Sequence, residues 1–132
     1  MALAQPRSVD TITVLIADDD AVARSVLVAL VEREPTLELA GLASDAAEAI
    51  AMAGESRPDV ALLDWSMPAG GGPEAARGIA GCSAATRVVA LSGHDRPEMA
   101  RQMVEAGATR VLVKGDPAWR IVGAIRAAAA AD

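Results

Sequence analysis

The sequence predicts an α/β fold: a five-stranded parallel sheet, doubly wound, with helices on both faces. Strand-sized apolar runs alternate with segments of helical spacing. Several of those runs are apolar throughout, as strands buried on both faces are. Acidic, hydroxyl and ammonium side chains directly follow the runs, at the carboxyl ends of the strands, which is where open parallel sheets bind their ligands.

Residues 1–10 are polar and lack periodicity, and they read as a flexible N-terminal tail; residues 11–132 read as one domain. The predicted strands are Ile12 to Ala17, Leu37 to Leu42, Val60 to Leu63, Val88 to Leu91 and Val111 to Val113. The first helix follows Asp20, with Val22, Val26, Leu30 and Val31 at helical spacing and Pro35 as its stop. Asp45 with Glu48, and Asp95 with Glu98, fit the acidic start of a second and a fourth helix, and Gly54 and Gly107 fall where their C-terminal caps belong. Gly70, Gly71 and Gly72 precede the third helix and Gly78 and Gly81 lie inside it, which predicts a short or mobile element. Asp116 and Pro117 resemble a cap and first helical residue, followed by Ile121, Val122 and Ile125 on the apolar face of the last helix. Right-handed crossovers then restrict the topology to a few doubly wound arrangements.

A chain of 132 residues is long enough for one buried core and has no linker-like break. Phe and Tyr are absent and Ala is abundant, so small side chains packing closely, with Val, Leu and Ile for bulk, make the interior; Trp65 and Trp119 stand out. A formal charge of −6 repels a nucleic-acid backbone or an anionic membrane face, which argues against direct DNA binding by this chain. One cysteine, Cys82, forms no intrachain disulfide, and no run reaches the length of a membrane span or signal peptide, so the expected compartment is the cytoplasm.

The chemistry gathers at the strand ends: Asp18, Asp19 and Asp20 after strand one, Asp64 after strand three, Ser92 after strand four and Lys114 after strand five. Clustered carboxylates raise one another's pKa unless a cation neutralises them, and hard oxygen ligands suit Mg²⁺. Asp20 reads as a helix cap only. Asp64 is a lone acid closing the run PDVALLD, where a charge beside a buried strand has no structural benefit.

In identity and order this set resembles the receiver domain of bacterial two-component response regulators, over essentially the whole chain after residue 10. The resemblance implies a flavodoxin-like sheet of order 2-1-3-4-5. It implies Mg²⁺ held by Asp18, Asp19, Asp64 and the backbone carbonyl of Ser66, with Asp18 acting through water. Asp64 would accept a phosphoryl group, contacted by Ser92 and Lys114, from a phosphohistidine on a sensor histidine kinase or phosphotransfer protein. His94, the only histidine, is not expected to be phosphorylated. The phosphoryl group would draw the Ser92 to Asp95 loop inward and change binding to an output domain or target protein. The protein would catalyse only its own phosphorylation and dephosphorylation, and a weak homodimer would form through the helix-four to helix-five face.

Three positions depart from the family pattern. Val111 stands where many receivers carry a Tyr or Phe whose rotation reports phosphorylation. Gly115 replaces a proline whose peptide bond is cis, and a trans bond is expected here because a non-proline cis bond costs about 2.5 to 4 kcal/mol. Ser66 occupies the position whose side chain governs hydrolysis of the phosphoaspartate, and its small hydroxyl sets no particular lifetime. Val111 and Gly115 together motivate an alternative, a degenerate receiver that binds partners without phosphorylation. Asp18, Asp20 and Val22 also fit the nucleophile motif of a haloacid dehalogenase-like phosphatase, with Asp18 as nucleophile, but that leaves Asp64 unexplained. A flavodoxin-like nucleotide binder shares the topology, yet three carboxylates would repel its phosphate. Trp65 reads as a loop cover, Trp119 as a helix-face or interface residue, and the triple glycine as plain loop.

Overall fold

The computed structural model describes residues 11–67, 71–93 and 97–131. The sequence readings on residues 1–10, Gly70, His94 and Asp95 lie outside the described residues. The elements alternate as β1 (Ile12–Ala17), α1 (Ala21–Glu32), β2 (Leu37–Ala43), α2 (Ala46–Ser56), β3 (Val60–Asp64), α3 (Gly71–Cys82), β4 (Arg87–Ser92), α4 (Pro97–Glu105), β5 (Ala108–Val113) and α5 (Ala118–Ala130). All the strand pairs are parallel, in order β2-β1-β3-β4-β5.

Strand position explains the hydropathy pattern. In β3 every residue is buried, and in β1 and β4 only the first residues are not. The edge strands β2 and β5 carry exposed residues such as Glu38, Thr109 and Arg110. Those polar residues hide the start of β5, which begins three residues before the predicted Val111. Two cores flank the sheet. One packs Leu15, Leu63, Ala75, Ile79 and Met103 beneath α2, α3 and α4. The other packs Ile16, Leu62, Leu30, Val31 and Ile125 beneath α1 and α5.

The helix ends bear out the Asp45 and Glu48 start of α2 and correct other sequence expectations. Asp45 caps α2 by accepting from the Glu48 N–H at 2.8 Å, and Glu48 turns back to accept from the Ser44 amide and hydroxyl at 2.8 and 2.7 Å. Gly54 lies within α2, whose left-handed cap residue is Arg57 at φ 48°. In α1 the buried face is Leu27, Leu30 and Val31, while Val22 and Val26 point to solvent. Helix α5 starts one residue late, with Pro117 as a cap lacking side-chain bonds, and Asp116 accepts from the Val113 amide at 3.1 Å instead.

Helix α3 is 12 residues long and neither short nor broken. Two of its glycines, Gly72 and Gly78, fit close packing. A Cβ on Gly72 would lie 2.2 Å from the Trp65 ring, and one on Gly78 would lie 2.3 Å from Ile50 Cδ1. The intrinsic helix cost of glycine is offset because α2 and Trp65 approach as close as only a missing side chain permits. Trp65, directly after β3, is thereby buried at 6% exposure, covering α3's first turn.

Candidate functional site

Parallel strands ending at one edge bring the sequence-predicted residues together. Asp18 follows β1, Asp64 ends β3, Ser92 ends β4 and Lys114 follows β5. Each is held by the neighbouring backbone. The Asp18 amide donates to Ala43 O at 3.0 Å, the Trp65 amide to Leu91 O at 2.8 Å, and the Lys114 amide to Ser92 O at 2.7 Å. The last bond ties the end of β4, which bears the hydroxyl, directly to the ammonium-bearing residue after β5. None of the described peptide bonds is cis, so Lys114–Gly115 is trans as expected, with Gly115 at φ 94°.

Asp18 is fully buried and Asp64 nearly so, whereas Asp19 is exposed. Asp18 Oδ1 accepts from the Asp20 amide at 2.9 Å. Its Oδ2 meets no donor among the described residues other than the Lys114 ammonium, an ion pair at 2.8 Å. The same ammonium lies 3.3 Å from Asp64 Oδ2, and Asp64 Oδ1 accepts from the Ser66 amide at 3.3 Å. Asp20 caps α1 by accepting from Val22 N–H at 3.3 Å, as its reading as a cap required.

The electrostatics follow from burying like charges. Burial first, and the neighbouring Asp18 second, push the Asp64 carboxyl up from 3.8 to about 6, against the pull of the Ser66 amide and Lys114. Burial disfavours the charged Lys114 ammonium, but the carboxylates of Asp18 and Asp64 more than reverse this and raise its pKa above the ordinary lysine value. Among the described residues one ammonium faces three acids, so the site there is short of positive charge.

Oxygens of Asp18, Asp19 and Asp64 lie within 4.8 Å of one another, the spacing of a shared-ion site. An all-carboxylate set with two buried members, paired to a single lysine, fits a hard divalent cation. The residues present therefore match the Mg²⁺ chemistry that the sequence resemblance implies.

Two contacts had no sequence signal. Arg24, on the second turn of α1, donates from Nη1 to the Asp18 carbonyl at 2.8 Å and holds the acidic loop to its helix. The Ser92 hydroxyl donates to the Met99 thioether on α4 at 3.0 Å. Only tertiary structure reveals that the latter pair, seven residues apart in sequence, meet.

An acid cluster at the carboxyl edge of a 2-1-3-4-5 sheet, with a hydroxyl and an ammonium on the adjoining strands, defines a receiver-type signalling module. Residues 14–126 match the family described as the response regulator receiver domain, and the chain belongs to that family. It is a receiver domain of two-component response regulators. Among curated relatives, LiaR of Bacillus subtilis, named a transcriptional regulatory protein, is 36% identical over 89% of this chain and 56% of its own length. The response regulator UvrY of Escherichia coli K12 is 33% identical over 87% of this chain and 53% of its own. The chain thus spans about half the length of the curated relatives it matches. The solved receiver domain of NarL from Mycobacterium tuberculosis superposes with a TM-score of 0.88 at 30% identity, covering 93% of this chain and 99% of that one. Receiver domains of this family bind Mg²⁺ and interact with histidine kinases and output domains. No helix among the described residues is long and apolar enough to cross a membrane.

Proposed function

We propose that Asp64 accepts a phosphoryl group from a phosphohistidine on a sensor histidine kinase or phosphotransfer protein. The observation that carries this reading is the buried Asp64 carboxylate, 3.3 Å from Lys114 and within 4.8 Å of its acidic neighbours. An Asp64 oxygen attacks phosphorus, the new P–O bond replaces the donor's P–N bond, and the released imidazole nitrogen takes up a proton. Catalysis is alignment plus charge neutralisation, because the transferred group carries its charge on its equatorial oxygens. Lys114 neutralises one of those oxygens and Ser92 donates a hydrogen bond to another. Asp18, Asp19, Asp64 and the Ser66 carbonyl would hold Mg²⁺, which when bound supplies the positive charge the site lacks.

On this reading the protein catalyses only its own phosphorylation and dephosphorylation. The phosphoryl group shifts its affinity for an output domain or target protein, a coupling typically worth about 1 to 3 kcal/mol. LiaR, named a transcriptional regulatory protein and matched over 56% of its own length, supports a DNA-directed output in which this acidic chain does not itself touch DNA. We place the protein in the cytoplasm, away from membranes, with a weak homodimer through the α4 to α5 face.

The test is intact mass and peptide mapping after incubation with Mg²⁺ and acetyl phosphate. One phosphoryl group on Asp64, lost in Asp64→Asn and without Mg²⁺, is expected. Labelling on Asp18 would replace this reading with a phosphatase, and no labelling would replace it with a phosphorylation-independent interaction module, the reading that Val111 and Gly115 motivate.

A further inference from the structure

We propose that Met99 is a positioning residue for the Ser92 hydroxyl, a latch that holds this group on helix α4 until a phosphoryl group on Asp64 takes it. The inference rests on the phosphorylation reading above and adds the route by which the site speaks to α4. Ser92 is 3% exposed at the end of β4, and its hydroxyl donates to Met99 Sδ at 3.0 Å. Met99 lies in the first turn of α4, half-buried, and packs against the core cluster beneath that helix. Val111 packs against the same cluster from β5. The position that holds an aromatic rotor in many receivers thus holds a small aliphatic side chain here, and a flexible thioether from α4 abuts the same core.

A hydroxyl has one proton to donate, and a thioether is a weak acceptor. A phosphoryl oxygen carrying charge is a far stronger one, since charge-assisted hydrogen bonds are roughly twice as strong as neutral ones. Given both, the Ser92 proton goes to the phosphoryl group. Met99 then loses its polar contact and, with three rotatable side-chain bonds, repacks. Transfer of one proton donor from Met99 to the phosphoryl group thereby changes the first turn of α4 without an aromatic side chain moving.

The experiment uses the whole chain with Mg²⁺ and beryllofluoride, a phosphoryl mimic. Bound fluorine signals in ¹⁹F NMR report occupancy of the site, and ¹³C-methyl methionine NMR reports Met99. The Met99 methyl should shift on beryllofluoride binding in wild type, and should shift in the free protein on Ser92→Ala. Met99→Leu keeps the volume but removes the acceptor, so it should tighten beryllofluoride binding by about fivefold, the worth of one neutral hydrogen bond. In the Ser92→Ala background the same change should do nothing. An equal effect of Met99→Leu in both backgrounds marks plain packing and overturns the latch, as does a Met99 methyl that ignores beryllofluoride while the fluorine signal shows it bound. A wild type with no bound fluorine signal overturns the phosphorylation reading itself, and the latch with it.

Discussion

Lys114 Nζ lies closer to Asp18 Oδ2, at 2.8 Å, than to Asp64 Oδ2, at 3.3 Å. In the resting site the lysine therefore chiefly compensates the fully buried acid of β1 and bridges to the proposed phosphoacceptor. This division of one charge between two acids gives Lys114 a structural role beside its proposed chemical one.

Lys114→Ala strands two buried carboxylates. Breaking a buried ion pair typically costs 3–5 kcal/mol, and Lys114 is partly exposed, so a loss of about 2 kcal/mol is expected without metal. Mg²⁺ should recover part of it. Urea unfolding with and without Mg²⁺ measures both, and an unchanged midpoint in the metal-free variant would refute the pairing.

Asp64 has a folded pKa of about 6 against an ordinary 3.8. The folded state therefore binds this proton more tightly than the unfolded chain does. Its contribution to metal-free stability is full below the ordinary value and is lost as pH rises through that window. Wild-type stability should fall relative to Asp64→Asn from about pH 4 to about pH 6, then run parallel. Denaturant midpoints across that range decide it; a relative gain by wild type with rising pH would contradict the raised pKa.

Gly78→Ala and Gly81→Ala should act in opposite directions on one helix. The Gly78 Cβ meets Ile50, and overpacking of this kind costs about 1–3 kcal/mol. The Gly81 Cβ meets nothing within 4 Å, so alanine there should stabilise by about 0.4–1 kcal/mol. Adding Ile50→Val to Gly78→Ala should restore part of the loss, since the two side chains share one space. Thermal melts of the four proteins provide the comparison.

Helix α1 makes a similar contrast. Val26 is 62% exposed and Leu30 is 8% exposed, although they are one turn apart. Val26→Ser should change stability by less than about 0.5 kcal/mol, and Leu30→Ala should cost about 2–5 kcal/mol. Equal effects would mean that the buried stripe of α1 is misassigned.

The central strands were legible because burial on both faces leaves only apolar residues, and the site was legible because parallel strands deliver their ends to one edge. Asp18, Asp19, Asp64, Ser92 and Lys114 all reach that edge. What sequence could not convey was mutual approach. Gly72 and Gly78 of α3 look like helix breakers when counted singly and become intelligible only once Trp65 and Ile50 are seen against them. Val22 and Val26 share helical spacing with Leu30, yet spacing alone does not say which stripe turns inward. Arg57 adopts the left-handed cap that Gly54 suggested three residues earlier. Arg24 and Met99 carry no motif, because each acts through a partner that folding brings to it.

The two indoles of this chain, in the absence of any tyrosine or phenylalanine, occupy opposite surroundings: Trp65 is 6% exposed and Trp119 is 76% exposed. Ultraviolet emission from the protein is therefore the sum of one dry and one wet chromophore, with no other aromatic side chain contributing. The dry one is joined to Asp64 by a single peptide bond. Removing Trp119 leaves an unlabelled protein whose entire fluorescence originates beside Asp64, the proposed phosphoacceptor, so events there can be followed optically in real time without attaching a dye.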